Sequence, residues 1–165
     1  MDTQWLLTIG LVLALLAGCL VLQRLRLRAL EAEARRNGLA MQLPFVPETA
    51  MPLDALALQL DHQRRGSTGL WTPRWGVALS GRVAGRPVLI ADHQVPAASA
   101  SDTRRFWHTL LVWRADRAPD GNGWPAGGEL GWMDGWAAWR LRGELTADQL
   151  RLLLQHAPQA LGRAR

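Results

Sequence analysis

The sequence predicts an α+β fold: an N-terminal transmembrane helix, then an antiparallel sheet of about five strands, with helices packed on one sheet face. Three observations predict it. Residues 5–22 form an unbroken uncharged, largely apolar run. Between residues 75 and 142, apolar segments of strand length alternate with Gly- and Pro-containing turns. The last two of these segments flank Asp134-Gly135, a strong signal for a two-residue hairpin. Thr146 and Gln149 then stand as a capping box ahead of a helical run with Leu150, Leu153, Leu154 and Ala157 on one face.

Composition bounds the rest. Of 165 residues, 48% are hydrophobic and 20% charged, a balance that supports one compact domain and excludes wholesale disorder. All 19 cationic side chains are Arg, and the net charge of +5 favours contact with anionic surfaces. Cys19 is the single cysteine, which excludes an intrachain disulfide and a Cys-based zinc site.

Taken in order, residues 1–4 are a short tail and residues 5–22 the span. With Thr3, Gln4 and Gln23, at about 1.5 Å per residue, the run crosses roughly 30 Å of hydrocarbon. Trp5 stands where an interfacial anchor belongs. Arg24, Arg26, Arg28, Arg35 and Arg36 follow the run, and no basic residue precedes it. Basic flanks stay cytoplasmic, so the N-terminus is expected outside and the C-terminal bulk inside, at the inner membrane of a bacterium. Another reading rests on Leu16-Ala17-Gly18-Cys19, which resembles the lipobox of bacterial lipoproteins and would make Cys19 a lipidation site on a periplasmic protein. Against it, the leading residues carry Asp2 and no base, and Leu20-Val21-Leu22 continue the apolar run.

Residues 23–38 read as a basic juxtamembrane helix, supported by Glu31 and Arg35 at i,i+4 and stopped by Asn37-Gly38. Residues 39–52, with Pro44, Pro47 and Pro52, read as a connector. Residues 53–165 form the small α+β domain. It opens with an amphipathic helix over 53–66 that places Leu53, Leu56 and Leu60 on one face. Strands are expected at 75–83, with Trp75, Val77, Leu79 and Val83 on one side, at 88–95, at 105–114, and on both sides of Asp134-Gly135, which would bring Trp132 and Trp136 close together.

The segments "ARRNGLAMQLP", "GRVAGRPVLIADHQV", "HTLLVWR" and "ELTADQLRLLL" together resemble bacterial single-pass membrane-anchored domains of unknown function. There, a basic helix ends in a "GL" step, a strand meander turns on "GRPV", and a capped helix closes the domain. The resemblance implies a fold and an anchored arrangement, and it brings no catalytic residue with it.

No motif spells out a reaction. His62, His93, His108 and His156 lack the i,i+3 or i,i+4 partners of a helical metal site. His93 and His108 fall on neighbouring expected strands and are the residues on which a metal-dependent or hydrolytic enzyme would rest. The serines have no nucleophile-elbow context, and "GRVAGRP" opens no helix and lacks the P-loop lysine. No catalytic residue, metal or cofactor is therefore expected. Trp124, Trp132, Trp136 and Trp139 are read chiefly as core, with Trp124, in a Gly/Pro loop, as the candidate partner contact. Beyond residue 36 the Arg residues are interspersed with Asp and Glu, so nucleic acid is not expected. The expected partners are the lipid bilayer and another membrane or cytoplasmic protein. The expected role is non-catalytic interaction or assembly at the membrane face.

Overall fold

A computed structural model of the chain describes residues 3–43, 52–65, 73–96, 105–119 and 128–162. Helix α1 (Thr3–Arg36) leads into strand β1 (Ala40–Gln42) and helix α2 (Leu53–Arg65). Strands β2 (Arg74–Val83), β3 (Arg86–Pro96), β4 (Arg105–Arg114), β5 (Glu129–Met133) and β6 (Trp136–Arg142) follow, and helix α3 (Ala147–Gly162) closes the domain. The sheet is antiparallel throughout, in the order β1-β2-β3-β4-β6-β5. The fold is α+β. The sixth strand is β1, inside the expected connector: three residues carry too little alternation to be read alone, and pairing with β2 makes them a strand.

α1 is one uninterrupted helix of 34 residues, about 50 Å long. It is long and apolar enough to cross a membrane, and residues 7–25 are exposed. From Arg26 onward the same helix enters the domain, where Leu30 and Ala34 are buried. It ends as its sequence predicts. Gly38 takes φ +69°, Leu39 N–H donates to Ala34 O at 2.9 Å and Gly38 N–H to Arg35 O at 3.1 Å, the paired bonds of a Schellman cap.

The sheet carries helices on both faces, which corrects the expectation of one. Against one face pack α1 and α3, through Leu30, Ala34, Leu150, Leu153 and Ala157, onto Val77, Leu79, Ile90, Leu111, Trp113 and Trp139. Against the other packs α2, through Leu53, Leu56, Ala57 and Leu60, onto Ala78, Leu89, Ala91, Leu110, Val112 and Ala138. The strand residues under α2 include three alanines, so a helix can lie close. Gly131 on β5 continues this floor, where an added Cβ would sit 3.0 Å from Leu60. The physical cause is legible in β3 and β4. "VLIA" and "LLVW" are continuously apolar, which is the pattern of strands buried on both sides.

Two local expectations change as well. Trp75↔His93 is followed in the ladder by Ala78↔Ala91, so Gly76 and Val77 of β2 stand opposite the single residue Asp92 of β3, a bulge of one extra residue. The bulge turns Trp75 onto the α2 face while Val77, Leu79 and Val83 stay on the other. The Asp134-Gly135 turn forms as expected, with φ of 49° and 78°. A two-residue turn makes Met133 and Trp136 partners, so Trp132 and Trp136 lie on opposite faces and not together. At the start of α3, Gln149 N–H donates to Thr146 Oγ1 at 3.2 Å, but the Gln149 side chain turns away to Arg142 O at 3.3 Å, so half of the capping box forms.

α1 is thus a wall of the domain, which makes the start of any shortened chain decisive. Leu30→Ala is expected to cost about 2–5 kcal/mol, as for other fully buried leucines. A fragment beginning at Gln23 should melt cooperatively. One beginning at Leu39 lacks Leu30 and Ala34 and should not. Equal calorimetric transitions for the two fragments would show that α1 adds nothing to the core.

Candidate functional site

Two groups of buried polar side chains carry titratable or charged residues against the sheet, one on each of its faces. On the α2 face, alternation along β3 and β4 points His93 and His108 the same way, and the ladder sets them opposite each other, with ring centroids 5.9 Å apart. Trp75 lies 5.2 Å from His93, and its indole N–H donates to Asp54 Oδ1 of α2 at 2.8 Å. Arg140 of β6 is 1% exposed. A buried guanidinium requires partners. Arg140 Nε donates to Glu129 Oε2 at 2.6 Å, Nη2 pairs with the same carboxylate and donates to Leu60 O at 3.0 Å, and Asp61 Oδ1 lies 3.9 Å from Nη1. Arg140 therefore fastens α2 to β5 and β6. Burial, followed by the nearby His108 and Arg140, pushes the His93 imidazole down from 6.5 to about 3, so it is neutral at physiological pH.

The sequence brings His93 and His108 together as expected. What surrounds them is a clamp of opposite charges and apolar helix. Among the described residues, no group of three or more His, Cys, Asp or Glu is placed to hold a metal ion. Both imidazoles are buried, and Trp75 beside His93 ties this part of the sheet to Asp54 of α2.

The second group lies where α1 meets the sheet. Val88, Ile90 and Asp92 share one face of β3, so the alternation that buries two aliphatic residues also buries a carboxylate, 2% exposed. The β2 bulge gives it a partner: Val77 N–H donates to Asp92 Oδ1 at 2.6 Å. Gly76 lines the approach, and a Cβ there would collide with Asp92 Oδ1 and lie 3.0 Å from the Trp107 ring. Arg26 of α1 pairs with Glu144 and donates to Leu145 O at 2.9 Å, docking the helix on the β6–α3 connection. These groups surround a cavity of about 230 Å³, to which Gln23 also contributes. Burial chiefly, and Glu144 in addition, raise the Asp92 carboxyl from 3.8 to about 6, against the lowering effect of the Val77 and Leu145 backbone bonds and of Arg26.

The expected orientation residues divide. Arg24 and Arg28 are exposed and line a neighbouring cleft of about 440 Å³ with Glu31. Arg35 pairs with Glu31 at 2.6 Å, and Arg36 with Glu33 at 3.3 Å. Arg26 belongs to the cavity. Cys19 is exposed on α1, within its apolar stretch. Trp124 lies outside the described residues. Trp113 and Trp139 are core, Trp136 is half-buried under the Arg114 guanidinium at 4.1 Å, and Trp132 is 38% exposed, with its N–H on Ala115 O at 3.1 Å. Sequence reasoning missed Asp92, Glu144 and Gly76. The signal for Asp92 was present: an acid on the inward parity of an apolar strand.

The two shifted groups oppose one another in pH. Asp92 holds its proton more tightly in the fold than in the unfolded chain. Its contribution to stability is present below 3.8 and lost as pH rises through about 6. His93 resists its proton in the fold. Its contribution is present above 6.5 and lost as pH falls toward about 3. Between about pH 4 and pH 6 the slopes offset each other. Relative to wild type, His93→Gln should therefore lose stability as pH rises across this window, and Asp92→Asn should gain it. Denaturant unfolding across the window checks both, and parallel profiles for all three proteins would refute the assignment.

Compared with protein families, with curated proteins and with solved structures, the chain matches none of them.

Proposed function

We propose that this chain is a single-pass, membrane-anchored interaction or assembly protein of a bacterial inner membrane, with its N-terminus outside, its α+β domain on the cytoplasmic face, and no catalytic role. The observation that carries the reading is the continuity of α1. Its exposed apolar stretch and its buried residues Leu30 and Ala34 belong to one helix, so the domain is held rigidly against whatever surface the apolar stretch enters. The same continuity weighs against the lipoprotein reading, in which cleavage before Cys19 would leave Leu20, Val21 and Leu22 as a short exposed apolar stub on the domain. Charge supports the orientation: Arg24, Arg26 and Arg28 follow the apolar stretch within two turns, and no base precedes it.

The buried polar groups support a non-catalytic role. Arg140, Asp61 and Glu129 join α2 to the sheet, while Arg26 and Glu144 join α1 to the β6–α3 connection. A domain so fastened is suited to presenting a surface, and the partners expected on it are the bilayer and a second protein.

A reporter fused after Arg165 tests the orientation. Green fluorescence with an inactive alkaline phosphatase fusion is expected, and the reverse would overturn it. Neutralising Arg24, Arg26 and Arg28 together should shift the population toward the opposite topology. Cys19→Ala should leave apparent mass and membrane attachment unchanged. Accumulation of a heavier precursor would establish the lipoprotein instead.

A further inference from the structure

We propose that the cavity between α1 and the sheet holds the headgroup of an aminophospholipid, its primary ammonium received by Asp92 and Glu144 and its phosphate turned toward Arg24 and Arg28. The inference rests on the membrane-anchor reading of α1 and adds a ligand to it.

Depth is the first argument. The apolar stretch ends at Leu22, and the cavity is lined from Gln23 and Arg26 onward. At about 1.5 Å per residue these lie roughly 2–6 Å beyond the hydrocarbon edge. The headgroup layer is about 5–8 Å thick on each side. The cavity therefore opens at the level where headgroups lie, and Arg26 and Glu144 at its rim are about one-third exposed.

Charge is the second. The cavity holds two carboxylates, Asp92 and Glu144, and one guanidinium, Arg26. One negative charge is in surplus, which selects a monocation. The indole of Trp107 adds an aromatic wall of the kind that attracts cations. On the other side of Leu27 and Leu43, which line both spaces, Arg24 and Arg28 border the neighbouring cleft. An acidic cavity beside a basic cleft is complementary to a zwitterion whose ammonium and phosphate are a few bonds apart. A choline headgroup has no N–H to donate to carboxylates, and an anionic headgroup would meet Asp92 and Glu144 with like charge.

Size is the third. About 230 Å³ is below the usual range of roughly 300–1,000 Å³ for drug-sized ligands. It suits a small polar head with the acyl chains left in the bilayer beside α1. Gly76 keeps the wall open, because any side chain there would press on Asp92.

The full chain, reconstituted in vesicles of equimolar phosphatidylethanolamine, phosphatidylcholine and phosphatidylglycerol with matched acyl chains, is extracted gently, and its retained lipid is weighed by native mass spectrometry. Phosphatidylethanolamine should be enriched about tenfold over either other lipid, the factor that one charge-assisted hydrogen bond supplies. Asp92→Asn should bring the three to parity. Should that variant fail to melt cooperatively, Glu144→Gln carries the test, with the same loss expected. Arg24→Gln with Arg28→Gln should lower retention of phosphatidylethanolamine while keeping it above phosphatidylcholine. Equal retention of all three lipids by wild type, or unchanged enrichment in Glu144→Gln, overturns the proposal. Displacement of the lipid by an equal concentration of free phosphoethanolamine also overturns it, in favour of a soluble ligand. Alkaline carbonate extraction separates the two readings. Protein released from membranes sinks the anchor itself, whereas protein that resists extraction yet shows no lipid preference sinks only the headgroup site.

Discussion

The structure depends on one helix serving two environments. α1 begins as an exposed apolar rod and ends as a buried wall of the sheet, with no break between the two parts. Two polar junctions hold the buried part in place. At the near end, Arg26 reaches Glu144 and the Leu145 carbonyl. At the far end, the 5%-exposed Glu33 receives Arg151 of α3 at 3.2 Å, Arg36 at 3.3 Å and the Asn37 amide at 3.1 Å. Between them Leu30 and Ala34 enter the core. Rotation of α1 by a quarter turn would expose those two residues and part the ion pairs together, so its rotational setting is fixed by several terms at once.

The two faces of the sheet solve different problems. Under α2, the floor of Ala78, Ala91 and Ala138 permits close approach but offers little area, so a short helix there gains limited apolar burial. Arg140 supplies the remaining fastening. Breaking such a pair by removing one partner strands a buried charge and costs more than the pair contributes, so α2 should be sensitive to loss of Glu129. On the opposite face Asp92 plays a local part, accepting the N–H that the β2 bulge withdraws from the ladder. A carboxylate is an unusual choice for that task, since an amide or hydroxyl would accept the bond without desolvating a charge. Asp92 lines a cavity with Glu144 and Trp107, and the proposed headgroup site would give its charge a second purpose.

The proposed role and the proposed ligand draw on the same geometry. No linker separates the apolar stretch of α1 from the sheet. With α1 in a membrane, the domain would be unable to tumble away from the surface, the α1 side of the sheet would stand at a constant depth, and that fixed depth would let a small cavity read a headgroup.

Local structure was legible wherever near neighbours decide it. The uncharged run over residues 5–22, the Asn37-Gly38 stop, the Asp134-Gly135 turn and the Thr146 cap all act within a few residues, and each forms where the sequence predicts. The facing of His93 and His108 was legible too, because strand alternation and a short connection suffice to set it. Three things were decided only by tertiary structure. β1 exists because β2 offers it an edge. The bulge that turns Trp75 to the α2 face arises from pairing with β3, and no side chain of β2 announces it. Asp92, Glu144, Arg26 and Gly76 come from β3, the β6–α3 connection, α1 and β2. Their joint position depends on how α1 lies across the sheet, and helix packing is set by summed side-chain volumes on both surfaces, which no pattern along one segment encodes.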